Sequence, residues 1–167
     1  IHCIVAYDIH AKKTFRFGPT EIDRAVTFLE QASELIAHNG ITFDVPAIQK
    51  LYPDFKCPKV TDTLVCSRLL WSDLVRIDWA SLPIYLPTNR YGSHSLEAWG
   101  YRLGEYKGDY GKQESAWDVY TEDMMDYCEQ DVKVTNLLFN RIESARYSPK
   151  ALELEHSVAK LMWKMEQ

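Results

Sequence analysis

The feature that most constrains this chain is a change of hydrophobic period within its first third. Ile1 to Tyr7 is apolar and rich in β-branched residues, and Thr14-Phe15-Arg16-Phe17 alternates with a period of two. The turn-forming stretch Asp8-Ile9-His10-Ala11-Lys12 lies between them, so the segment predicts a β-hairpin. Gly18-Pro19 ends it. Thr20 is placed to cap a helix over about Glu21 to Ser33, with Ile22, Val26 and Leu29 at helical spacing. Leu35-Ile36-Ala37 predicts a short buried strand that runs into the turn signal His38-Asn39-Gly40. Further helices are expected over Phe43 to Leu51, from a cap at Asp62 through Leu70, over Leu96 to Leu103, and over Glu122 to Ser144. Arg76 to Asn89, with Pro83 and Pro87, reads as a loop or extension, and Gly104 to Gly111 as turn-rich. Pro149 sets off a last amphipathic stretch, Ala151 to Met165. Strands followed by helices in alternation define the α/β class.

At 167 residues with 46% hydrophobic content, the chain can bury one sizeable core. A net charge of −5 argues against a protein that holds nucleic acid by overall positive charge. Acidic balance instead suits a site that gathers carboxylates around divalent cations, which then meet a phosphate. Cys3, Cys57, Cys66 and Cys128 have neither zinc-finger nor C-x-x-C spacing and read as reduced, mostly buried thiols. No apolar run approaches the ~20 residues needed to span a bilayer, and no signal segment opens the chain, so a cytoplasmic setting is expected. The chain begins in an apolar run at Ile1 instead of Met, from which an upstream segment is expected.

Two places carry chemistry. Asn39-Gly40-Ile41-Thr42-Phe43-Asp44 puts a carboxylate at the start of a helix, just beyond a buried strand, where α/β sites are commonly built. Alone, Asp44 reads more readily as a plain helix-start residue favoured by the dipole. Tyr127-Cys128-Glu129-Gln130-Asp131, four residues from Tyr to Asp, sets a phenol and a carboxylate on one helix face. Alone, that reads more readily as a buried Tyr whose hydroxyl bonds the Asp. Taken together they supply carboxylates from separate segments, as two-metal phosphodiester hydrolysis requires for ions about 3.5–4 Å apart.

Asn-x-x-x-Phe-Asp followed by Tyr-x-x-x-Asp resembles the second and third motifs of the DEDD exonucleases, in the subclass with a motif tyrosine. Thr61-Asp62-Thr63-Leu64, Ser67-Arg68-Leu69-Leu70, the run from Tyr91 through Ala98-Trp99-Gly100-Tyr101-Arg102-Leu103-Gly104, and Met124-Met125-Asp126-Tyr127 are similar to the exonuclease region of family A replicative polymerases of short-tailed phages. The likeness covers nearly the whole chain. It implies an RNase H-like α/β domain with a mixed sheet flanked by helices, over residues 1–148, and a connector helix toward a polymerase domain over 149–167. It implies 3′-to-5′ proofreading of DNA in an infected host cell, using Mg2+ or Mn2+. Asp131 would bind the ion that activates water, Tyr127 would orient that water, and Asp44 would help hold the second ion. His38, Asn39 and Phe43 would lie against the single-stranded 3′ end, with Phe43 either stacked on a base, worth roughly 1–3 kcal/mol, or held in the core. Tyr106 and Tyr110 would line the strand groove or serve as local packing anchors.

The first motif of that family, Asp-x-Glu on a central strand before the hairpin, has no counterpart here, and Asp8-Ile9-His10 at the hairpin turn is a poor substitute. Two-metal binding by Asp44 and Asp131 alone is expected to be weak. Loss of a central strand would also leave ladder groups unpaired at roughly 1–3 kcal/mol each. The expectation is therefore a piece of a longer polymerase. The alternatives are a catalytically silent DNA-binding or structural domain of the same fold, and a ribonuclease of the same superfamily.

Overall fold

The computed structural model describes residues 1–83, 85–106, 110 and 117–166. Strands β1 (Ile4–Asp8) and β2 (Lys13–Phe17) form the expected antiparallel hairpin, in register from Ile4 opposite Phe17 to Asp8 opposite Lys13. The Asp8 carboxylate accepts from the His10 and Ala11 amides and closes the turn, and Lys12 takes a positive φ of 52°. Helix α1 (Ile22–Glu30) follows, then β3 (Glu34–Ala37), α2 (Asp44–Leu51), β4 (Lys59–Asp62), α3 (Thr63–Leu70), α4 (Leu74–Ser81), α5 (Leu96–Leu103), α6 (Glu122–Glu143) and α7 (Pro149–Met165).

The chain is α/β, but the expected single mixed sheet is found as two pieces. β1 pairs with β2, and β3 pairs in parallel with β4; among the described residues no strand joins the pairs. Both pieces pack under α6, which meets β1, β2 and β3 as well as α5 and α3. Its buried residues Met124, Met125, Val134, Leu138 and Ile142 explain this span of contacts, and Thr121 caps its first turn through the Met124 amide. Arg16 on β2 adds ion pairs to Glu122, Asp126 and Glu129 on the solvent side. Such exposed pairs fix orientation more than they stabilise.

Two cores result. One gathers Cys66, Leu74, Trp99, Val134, Leu138 and Ile142 from α3, α4, α5 and α6. The other joins Ile22 and Val26 of α1 to Ile48 of α2 and to Phe55. Each fully buried side chain of this size is worth about 1.5–3 kcal/mol over its exposed state.

Three expectations need correction. Thr20 does not cap α1: the chain enters through a single 3-10 turn, Pro19–Glu21, and Glu21 takes the cap position while its carboxylate accepts from the Gly18 amide. The helix also stops at Glu30, short of Ser33. Residues 76–81, taken as loop, belong to α4, which Leu74 anchors in the core and which buries Asp78 against Arg102. The strand β4 was not expected; Lys59 to Asp62 is too short for its period to show. Of the turn-rich 104–111, residues 107–109 and 111 lie outside the described residues.

Helix α7 folds back on α3. His156, buried, accepts the Asp62 amide at its Nε2 (2.8 Å) and donates from Nδ1 to the Leu152 carbonyl (2.7 Å), a single neutral tautomer satisfied on both sides. No helix among the described residues is long and apolar enough to cross a membrane.

Candidate active site

The loop between β3 and α2 is built for a sharp reversal. Asn39 sits at φ 66°, the left-handed region that Asn tolerates. A Cβ on Gly40 would come within 2.6 Å of the Ala37 Cβ, so only glycine lets the loop fold back on the end of β3. Asp62, at the end of β4, holds the reversal. Its carboxylate accepts from the amides of Asn39 (2.8 Å), Ile41 (3.1 Å) and Leu64 (2.9 Å), the last capping α3. With 1% of its surface exposed, Asp62 is buried, and these three donors are what make a buried carboxylate tolerable. The cap at Asp62 is legible in the sequence, whereas its two longer-range bonds have no local signature.

That loop delivers Asp44 to the first turn of α2. Crowding by the surrounding protein and then the negative charges of Asp62 and Asp131 push its carboxyl up to about 6, against a backbone hydrogen bond that pulls it down. The residue as a whole remains exposed to solvent. The effect of Asp131 is informative: residues 87 positions apart (131 − 44) stand close enough for one charge to be felt at the other. Asp131 is half-buried on α6 and its Oδ1 is fully buried. Tyr127, one turn earlier on the same face, packs its ring against Tyr110 (5.7 Å between centroids) and Trp117 (5.8 Å). The Tyr110 hydroxyl in turn bonds Thr121 at the α6 cap. Tyr110 thus sits within an aromatic cluster beside Tyr127, and Tyr106 stacks on Tyr101 (4.9 Å).

The remaining sequence-selected residues divide. Phe43 is 66% exposed next to Asp44, which removes the core alternative for its ring. His38 is half-buried, and its Nδ1 lies 2.9 Å from the Thr63 hydroxyl, tying the loop to α3. Asn39 accepts from the Thr42 hydroxyl at its side-chain oxygen (2.6 Å). Among the described residues no group of three or more His, Cys, Asp and Glu is placed to hold a metal ion. The oxygens of Asp62 are committed to backbone donors, which leaves Asp44 and Asp131 as the carboxylates whose charges are felt at one place.

No protein-family model matches the chain. It is similar to two proteins described as DNA-directed DNA polymerase, one from Escherichia phage T7 and one from Enterobacteria phage T3. Each is 34% identical over 211 residues, an alignment that takes in 99% of this chain and 30% of the relative. The chain therefore spans less than a third of the length of those relatives. Along nearly its whole length, this protein is related to one part of the phage DNA-directed DNA polymerases.

Proposed function

We propose that this chain is the 3′-to-5′ proofreading exonuclease domain of a phage DNA-directed DNA polymerase, RNase H-like in fold. The observation that carries the reading is the convergence of Asp44 and Asp131, from a β3–α2 loop and from α6, with Tyr127 one turn from Asp131, in a chain related to phage polymerases.

Hard carboxylate oxygens suit Mg2+ or Mn2+, and the negative charge of Asp131 that raises the Asp44 carboxyl would be offset by a bound cation. The donor set fits in kind and is short in number, because a pair of ions needs more ligands than two side chains supply. Bound there, divalent ions would acidify water and offset charge on the phosphate. Asp44 and Asp131 would hold them. Tyr127, fixed by Tyr110 and Trp117, would direct a water at the terminal phosphodiester through its hydroxyl. The exposed Phe43 ring would stack on the last base, while Asn39 and His38 would shape the wall beside the 3′ end of single-stranded DNA. β1 and β3 each present an edge to no other described strand, and both lie under α6. A strand inserted between them would complete the sheet and could bring further carboxylates to the ions.

A second reading has its own support: with no three-ligand group among the described residues, the domain could bind DNA or the polymerase body without cutting. Digestion of 3′-labelled single-stranded DNA in Mg2+ or Mn2+ separates the two. The exonuclease reading expects slow nucleotide release by this chain, faster release by a version extended upstream through one more strand, and loss of both in Asp131→Ala. No release by either version would establish the silent domain.

A further inference from the structure

Cys3, in the lead into β1, and Cys128, on α6, lie 125 residues apart in sequence, yet their sulfurs meet at 3.7 Å in a thiol–thiol hydrogen bond. Both are half-buried, so a small reagent can reach them. The other two cysteines are differently placed. Cys66 is fully buried and burial pushes its thiol up to about 12; Cys57 donates to the Pro58 carbonyl, and burial raises its thiol too. The Cys3 thiol is drawn down to about 7, first by its hydrogen bond with Cys128 and also by the positive charge of Arg16, against burial and Glu122. A substantial thiolate fraction at neutral pH follows, and the thiolate is the nucleophile.

We propose that Cys3 and Cys128 are an oxidisable pair, a site of reversible disulfide modification by low-molecular-weight disulfides such as oxidised glutathione. A disulfide needs its sulfurs about 2.05 Å apart. Cys3 lies outside the β1 ladder, so closing the remaining gap from 3.7 Å does not require breaking strand pairing. In the first step the Cys3 thiolate attacks one sulfur of oxidised glutathione, whose S–S bond breaks and releases one glutathione thiolate. Cys128 then gives its proton to water, and its sulfur attacks the Cys3 sulfur, expelling the second glutathione thiolate. Two protein thiols are oxidised and one glutathione disulfide is reduced, with no other reactant.

The bond would anchor the turn of α6 between Tyr127 and Asp131 to the start of the hairpin. Cys128 follows Tyr127 directly and shares a helix face with Asp131, so oxidation would fix that turn against β1 whether or not the domain cuts DNA.

The test is incubation of the folded chain with oxidised glutathione at neutral pH, followed by acid quench, alkylation in denaturant, digestion and mass spectrometry. The expected result is loss of two of the four thiols, a linked Cys3–Cys128 peptide pair that dithiothreitol reverses, and alkylated Cys57 and Cys66. Cys128→Ser should stop at a Cys3–glutathione adduct, and Cys3→Ser should leave Cys128 largely unmodified, with circular dichroism confirming that both variants remain folded. A wild-type chain that accumulates the Cys3 adduct with no linked pair, or forms the pair only when denatured, would overturn the proposal.

Discussion

At the scale of single residues, Asp44 carries the most testable electrostatics. Its folded-state carboxyl titrates at about 6, above an unfolded value near 3.9. Below both values the folded and unfolded chains bind the same proton and Asp44 contributes nothing. As pH rises through the window from about 4 to about 6, the unfolded chain releases the proton first, so folding is progressively disfavoured, and the penalty persists above the window. Urea midpoints measured across that range should therefore gain at the upper end in Asp44→Asn relative to wild type, and carbon NMR of the Asp44 carboxyl should give a midpoint that falls in Asp131→Asn. A midpoint unmoved by Asp131→Asn would mean that the two side chains do not face each other. The sequence gives Asp44, Tyr127 and Asp131 as candidates because their spacing to a turn or along a helix is local. It marks Asp62 as a helix cap but is silent on its long-range hold on the Asn39 and Ile41 amides, and on whether the Phe43 ring is inside or out.

At the scale of elements, the long periodic segments were readable and the short ones were not. α5 runs over the expected residues, from the Ser95 cap to Gly104 in the left-handed conformation, and α6 differs by one residue. α4 escaped notice because its stability is tertiary. Its eight residues leave Val75, Ile77 and Trp79 exposed, so no clean apolar face marks it, and Leu74 with the ion pair from Asp78 holds it in place. Asp78 receives two bonds from the Arg102 guanidinium, at 2.9 and 2.7 Å, and a third from the Gly92 amide, at 2.8 Å. Removing one partner of so buried a pair strands the other charge. Asp78→Ala is expected to cost about 3–5 kcal/mol in urea unfolding, whereas Arg76→Ala on the exposed face of the same helix should stay within about 0.5 kcal/mol. Equal losses would place the anchor of α4 elsewhere.

For the whole molecule, α6 is the element among the described residues that packs on both small sheets and also supplies Val134, Leu138 and Ile142 to one of the cores. A two-stranded hairpin is marginal by itself in water, so β1–β2 depends on the underside of α6. Native-state hydrogen exchange should show the slowest amides in the middle of α6, around Val134 and Leu138, and measurably faster exchange in β1 and β2. Hairpin amides as slow as those of α6 would contradict that dependence. The α/β class was legible because strand and helix periods differ so plainly along the first third of the chain. The division into two sheets was not, since strand pairing depends on which edges meet in space and no residue pattern encodes it.

The bond from the Asp62 amide to His156 has a mechanical side. Asp62 is a hinge pin: one end grips α7 through the imidazole, and its carboxylate grips the loop that carries Asp44. A pull along the axis of α7 loads this bond together with the packing of α7 on α3, so strain from the last helix arrives at the residue from which the Asp44 loop hangs.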